Sequence, residues 1–264
     1  MSDIRHSRLK RFSIGVGVFV TAFILVVLLL IVSYPGPEAL VSSIFSDEMM
    51  FAIYLSIVTS VTSTGLCILF AVPVSYALAR YEFPFKNLIN TSIDLPIALP
   101  PLVAGVGLLL LFGQTALGKG LAAAGIEFIF TPLGIIVAQF FVNLPFMVRI
   151  LRSTFQSVSP RYEYVARTLG CSELQAFIKV TLPMAKNGFF AGTVITWSRA
   201  IGEFGAALMV AGATRMKTES LPVAVFLNMS TGDLNMATAA ATILIIIAII
   251  SLYVFERYGG TTQI

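Results

Sequence analysis

The chain has 264 residues, of which 57% are hydrophobic and 11% charged, with a mean hydropathy of +0.92; an ordinary soluble domain carries about 25% charge. That excludes a soluble globular fold and points to a single helical bundle in a bilayer. The net charge of +4 records topology rather than a nucleic-acid partner, because the basic residues cluster in the connections between apolar runs.

The chain opens on a basic tail, residues 1–11, which holds His6, the single histidine of the sequence, so no histidine cluster can build a metal site. The apolar run that follows, 12–32, has the basic head of a secretory signal. It is longer than a signal's apolar core of about 7–15 residues and has no A-x-A cleavage pattern. It is read as a retained first transmembrane helix, 12–33, ahead of a core at 49–257. About 20 apolar residues at ~1.5 Å each cross a hydrocarbon layer of ~30 Å, and five further runs qualify: 49–79, 95–113, 128–148, 187–213 and 234–255. The expected fold is therefore an all-α integral membrane bundle of six transmembrane helices. The second run is longer than a perpendicular crossing needs and should tilt. Cys67 in that run and Cys171 further on should lie at different depths and stay unpaired.

The third run enters through "DLPIALPPLVAGVG". Pro96, Pro100 and Pro101 remove backbone donors and crowd the preceding turn, so the helix should break or bend there. Irregular backbone at membrane depth is tolerated inside protein or along a cavity, which makes the three prolines pathway candidates. Asp94 should sit at the interface, hydrated, without a catalytic role.

Between the fourth and fifth runs lies a polar stretch within 155–186. Ser159 can cap a helix with Pro160 at its first position. Gly170 offers a left-handed stop. Ser172 and Gln175 have the spacing of a capping box for a second helix, and Pro183 should end it by pushing Leu182 out of the helical region. Val165, Leu169, Leu174, Phe177, Ile178 and Leu182 alternate with Arg161, Glu163, Arg167, Glu173 and Lys179. Such an amphipathic pair could lie on lipid headgroups or dock into a soluble partner.

In the fifth run, "GFFAG" from Gly188 to Gly192 fits close helix packing. Arg199 and Glu203 stand four apart, one turn along one face, so they can pair. A charge at mid-bilayer costs about 2.5–3.5 kcal/mol on insertion scales. Either Arg199 meets a transported anion or the pair is a structural lock, and the lock is favoured because a neutralised arginine attracts an anion weakly.

Basic residues orient the bundle. With the N-terminus inside, the inner side holds Arg5, Arg8, Lys10, Arg11, Arg80, Lys86, Arg149, Arg152, Arg161, Arg167, Lys179, Lys186 and Arg257, and the outer side only Lys119, Arg215 and Lys217. That puts both termini and the polar stretch in the cytoplasm, in the cell membrane.

The polar stretch resembles the coupling segment of ABC importer permeases, in which an acid and alanines precede a glycine, followed about ten residues later by an aliphatic residue and "LP". Here the elements are Glu163, Ala166, Arg167, Gly170, Val180, Leu182 and Pro183. Val165 stands where the family commonly has alanine, and Tyr164 where some members place the acid. The likeness spans roughly residues 50 to 255. "DLPIALPPLVAGVGLLLLFG" and "SRAIGEFGAALMVAG" resemble the branch importing molybdate, tungstate and sulfate.

The resemblance implies a type I importer permease of two copies around a pore, two ATPase subunits holding ATP and magnesium, and an extracytoplasmic oxyanion-binding protein. It implies no cofactor on this chain, which has no G-x-x-x-x-G-K-[ST] loop of its own. Molybdate or tungstate is the expected cargo, with sulfate or another small solute as the alternative. An integral-membrane enzyme would need clustered acid–base or metal-binding groups that the sequence lacks, and an ion channel would pass solute without an ATPase.

Overall fold

The computed structural model describes residues 2–258, with side chains from residue 9 onward; His6 and the tail's first basic side chains lie outside that range. The described residues form helices and their connections, with no strand. In chain order, α1 is Ser2–Ser33, α2 Gly36–Ile44 and α3 Asp47–Arg80. They are followed by α4 Lys86–Ala98, α5 Pro101–Gln114, α6 Ala116–Ala123 and α7 Pro132–Ser157. Then come α8 Pro160–Thr168, α9 Glu173–Ala176, a π turn Phe177–Thr181, α10 Leu182–Met184, α11 Lys186–Ile201, α12 Gly205–Ala211, α13 Leu221–Thr231 and α14 Leu234–Tyr258.

Four helices are long and apolar enough to cross a membrane alone, and six crossings result if each bent pair counts as one. The third run breaks at its prolines, as expected, whereas the bend in the fifth corrects a run read as continuous. The third run is α4 and α5 turned by 112° at Leu99–Pro100, and the fifth is α11 and α12 turned by 55°. The fourth helix runs Pro132–Ser157 rather than 128–148. Phe130 (φ 56) delays its start and donates its N–H to Val210 O at 3.1 Å. The connection 214–233 between the fifth and sixth runs carries α13, whose Leu221, Val223 and Ala224 are buried. Eleven residues are too few to cross, so a span count misses them.

The centre is α3 against α7. Ser46 caps α3 by accepting from Met49 N–H at 3.3 Å, while Asp47 and Glu48 in its first turn and Arg80 in its last suit the helix dipole. Lipid solvates apolar side chains as well as a core does, so α3 turns its small polar residues inward: Ser56, Thr59, Ser60 and Ser63 are all buried. Ser75 Oγ donates to Val148 O at 3.0 Å, Leu221 N–H donates to Ser56 Oγ at 2.7 Å, and Gln139 Nε2 donates to Ala200 O at 2.8 Å. Those bonds tie α7 to α3 and α11, and α13 to α3.

Close approach comes from small residues. A Cβ on Gly188 would stand 2.2 Å from Thr154 Oγ1 and one on Gly192 3.1 Å from Ile150 Cγ2, so "GFFAG" is the seam of α11 against α7, as expected. Cys67 and Cys171 are both free. In contrast, α1 buries none of its apolar window and leans on α14.

Candidate functional site: the polar segment and the paired helix breaks

The polar segment projects from one end of the bundle, beyond the ends of α3 and α7. Pro160 begins α8, but Ser159 makes no side-chain cap bond, so the expected cap is absent and the proline alone marks the start. Gly170 has φ +93, the left-handed stop, and the next N–H, on Cys171, reaches back to Ala166 O at 3.1 Å. The capping box forms in full: Gln175 N–H donates to Ser172 Oγ at 3.2 Å, and Ser172 N–H donates to Gln175 Oε1 at 2.9 Å.

Pro183 does not end the second helix. Leu182 stays helical at φ −64, ψ −45 and donates to Phe177 O, five residues back. The wider π turn at 177–181 makes room for the proline ring, and the chain continues through α10 into α11. The segment is thus joined to a spanning helix without a flexible linker.

Glu163 is the anchor. It is 9% exposed and accepts from Arg80 Nε at 2.8 Å, Tyr76 Oη at 2.9 Å and Thr181 Oγ1 at 2.6 Å. Arg80 Nη2 also donates to Val158 O at 2.8 Å. One carboxylate therefore joins α3, α8 and the π turn. Burial pushes its pKa up, but the bonds from Thr181, Tyr76 and Arg80, with Arg80's charge, prevail and hold it below the usual carboxylate value. Tyr76, Phe155 and Phe177 pack edge-to-face around the lock, with centroids 4.7 to 6.0 Å apart. Tyr81 Oη donates to Glu173; that bond, with burial, raises the phenol's pKa.

The seven residues expected to form the coupling loop divide in three. Glu163 and Ala166 are buried, Val180 and Leu182 are half-buried, and Arg167, Gly170 and Pro183 are exposed. On the free side, Tyr164, Val165, Leu169, Leu174 and Ile178 stand out, Leu169 at 81% exposure. Arg80, Tyr76 and Thr181 had escaped sequence reasoning. Arg80 read only as a topology charge, and nothing local marks a partner 83 residues away.

Deeper in the bundle Arg199 and Glu203, expected to pair, do not come within 4.0 Å of each other, and only the through-space attraction of their charges remains. A shared face requires a continuous helix, and α11 ends at Ile201. Glu203 turns to accept from Ala206 N–H at 2.9 Å, capping the segment after the break. The Arg199 guanidinium lies 3.8 Å over the Phe146 ring of α7. The flanking Gly202 and Gly205 were the local signal of a break.

Pro100 and Pro101 form the other break, with Pro96 inside α4 and Asp94 3.9 Å from Arg149. The two breaks meet: a Cβ on Gly205 would stand 3.1 Å from Pro101 Cβ and 3.3 Å from Leu102 N. Next to them, a Cβ on Gly105 would stand 2.9 Å from Ala206 Cα. Among the described residues no group of His, Cys, Asp and Glu is arranged to hold a metal ion.

Residues 71–258 match the family described as the binding-protein-dependent transport system inner membrane component. The chain is 33% identical over 257 residues to the probable transport system permease protein NifC of Clostridium pasteurianum, covering 95% of this chain and 89% of that one. It is 36% identical over 233 residues to the molybdenum transport system permease protein ModB of Mycobacterium tuberculosis, covering 88% and 87%. With the sulfate transport system permease protein CysW of Synechocystis it shares 33% identity over 224 residues, covering 84% and 81%. The fold matches a bacterial ABC transporter that imports the acidic polysaccharide alginate, with a TM-score of 0.68 at 17% identity over 97% of this chain and 99% of that one. The chain belongs to the binding-protein-dependent transport permeases, the membrane-spanning components of ABC importers.

Proposed function

We propose that this chain is the permease of an ATP-driven importer for a tetrahedral oxyanion, molybdate or tungstate, working by alternating access. The observation that carries the coupling role is the apolar ridge of Tyr164, Val165, Leu169 and Leu174, exposed to the solvent side yet anchored from behind through Glu163. An exposed apolar patch on a rigid mount is a docking surface, and the occupant proposed is a separate ATPase subunit that holds ATP and magnesium. Two copies of the chain would each engage one ATPase. Closing of the ATPase pair would draw the two segments together, and α10–α11 would carry that motion to the paired breaks.

Similarity to a molybdenum permease at 36% identity and a sulfate permease at 33% supports an oxyanion cargo; sulfate is the second reading. A binding protein on the other side would deliver the anion. The charge split supports an orientation with the polar segment and both termini in the cytoplasm of a cell whose inner membrane the chain would cross.

The test is uptake by vesicles holding the permease, ATPase and binding protein, with molybdate, tungstate and sulfate in competition. Molybdate or tungstate uptake that sulfate displaces poorly is the expected result, and preference for sulfate reverses the substrate order. Uptake of none of the three rejects the oxyanion reading. Labelling by an impermeant thiol reagent checks orientation: Gly120→Cys should react from outside and Ser157→Cys from inside.

A further inference from the structure

Arg199 has no carboxylate within 4.0 Å among the described residues, although its charge still acts on Glu203 through space. Ion pairs within 4.0 Å among the described residues engage Arg80, Lys86, Arg149 and Arg215, and Glu203 is turned to the Ala206 N–H. Yet Arg199 lies deep in the bundle. It is thirteen residues into α11, which begins at Lys186, so it stands ~20 Å from that end at ~1.5 Å per residue. Its aromatic neighbour Phe146 is central in α7, Pro132–Ser157. From there an arginine stem reaches neither headgroup layer, so snorkelling does not explain it.

The side chain is exposed within the subunit and borders a cavity of about 370 Å³ between α11 and α14, with Ser198 and otherwise largely apolar walls. It stands one turn before the break at Gly202–Phe204, which packs on the break at Pro100–Pro101. A guanidinium in such a setting, with no ion pair within 4.0 Å, is suited to take a negative charge from outside the subunit.

We propose that Arg199 is a binding residue for the transported oxyanion at the membrane midplane, with its face held open by stacking on Phe146 and the Ser198 hydroxyl beside it. The inference rests on the oxyanion reading above. The planar donor fork of arginine matches two oxygens of a tetrahedral oxyanion. At neutral pH molybdate, tungstate and sulfate are dianions, so two copies of the chain supply two guanidinium groups for one dianion, and the loaded site is neutral. The stack on Phe146 holds the guanidinium plane while leaving its edge donors available. Glu203 accepts from the Ala206 N–H and attracts the guanidinium only through space, so the edge donors of Arg199 carry no direct bond to it.

The experiment uses the full complex in vesicles with Cys67 and Cys171 replaced by serine, which must first show wild-type uptake. Arg199→Gln is expected to lower oxyanion uptake at least tenfold while the ATPase still co-purifies, and Arg199→Lys to retain part of it. Arg199→Cys should regain uptake after modification by a thiol reagent that adds an ammonium, but not after one that adds a methyl group. Molybdate, tungstate or sulfate at millimolar concentration should slow that modification.

Wild-type uptake in Arg199→Gln overturns the inference while leaving the oxyanion reading intact. So does loss of ATPase co-purification in both Arg199→Gln and Arg199→Lys, which would assign the residue to assembly. Modification that proceeds at one rate with and without oxyanion also rejects it. If the parent complex moves none of the three anions, the substrate reading fails first, and the two failures are thereby told apart.

Discussion

Two places in this permease interrupt a helix, and they are held in opposite ways. At the polar segment the chain turns at Gly170 and then bonds itself to α3 through a buried carboxylate with three donors. At the intramembrane breaks the contact is between small surfaces: Gly205 against Pro101, and Gly105 against Ala206. Hydrogen bonds to a charge are directional and strong, so the first joint transmits force without slipping. Van der Waals contact between smooth backbones has no such direction, and the second joint can shift between two packings at little cost. Under the proposed coupling to a separate ATPase, the first would serve as a stiff handle and the second as a yielding gate.

The sharpest way to break the comparison is to remove the stiff joint. Glu163→Ala leaves Arg80, whose side chain is only 7% exposed, without its counter-charge, and breaking a buried pair costs about 3–5 kcal/mol. We expect the variant to insert in the membrane, with residues 159–184 becoming protease-sensitive and ATPase co-purification lost. The double variant Glu163→Ala with Arg80→Ala should recover part of that loss. Undiminished protection in the single variant would show that the handle is held by its aromatic packing alone.

The yielding joint is probed by adding one methyl group. Gly105→Ala puts a Cβ 2.9 Å from Ala206 Cα and from Ala206 O, both of them backbone atoms that cannot rotate away. Overpacking of this kind costs about 1–3 kcal/mol. Here it should lock the breaks, lowering transport with little loss of ATPase binding. Gly188→Ala is the control within the same bundle. Its clash is with the Thr154 side chain, so Thr154→Ala should relieve most of it by removing Oγ1 and Cγ2, leaving only the Thr154 Cβ at 2.9 Å. If Gly105→Ala transports at wild-type rate, the breaks do not move during the cycle.

Gly170 tests the turn itself. Nothing lies within 4 Å of a Cβ there, so a substitution meets no clash and feels only the backbone at φ +93. A left-handed conformation costs an L-residue about 1–2 kcal/mol, more for a β-branched one. Gly170→Val should therefore misdirect α9 and raise the ATP hydrolysed per anion moved, and Gly170→Ala should do so less. An unchanged ratio in the valine variant would remove the turn from the coupling path.

Local signals were legible and long-range ones were not. Pro160, Gly170 and the Ser172–Gln175 box each act within a few residues, and each takes its expected place except for the Ser159 cap. The Pro100–Pro101 break was also visible, because proline acts on its own turn. What failed depended on distance or on a helix being whole. Arg80 and Glu163 are joined only by the fold, and Pro183 was absorbed by a π turn that no residue type announces. Arg199 and Glu203 looked like neighbours because an apolar run from 187 to 213 reads as one cylinder, whereas Gly202 and Gly205 cut it. That miss matters most, since the break leaves Arg199 without the direct ion pair that a continuous helix would have allowed.

The smallest expected effect is a pH window on the stiff joint. Glu163 is held below its ordinary value of 4.5, so its ionised form is favoured in the fold. Its contribution is complete above that value and is lost as pH falls through the lowered one. Tyr81 has the opposite sign: its pKa is raised above 10.0 by the bond to Glu173 and by burial, so its contribution is complete below 10.0 and is lost as pH rises past it. Between these limits the attachment of residues 159–184 should be flat with pH. Hydrogen exchange of that segment in the detergent-solubilised complex, from pH 3 to 11, is the measurement. In Glu163→Gln the acid edge should vanish, leaving the segment uniformly looser, and in Tyr81→Phe the alkaline edge should vanish while the acid edge stays. An acid edge that persists in Glu163→Gln would not come from this carboxylate, and the stiff joint would then be a neutral hydrogen-bonded contact rather than a charged one.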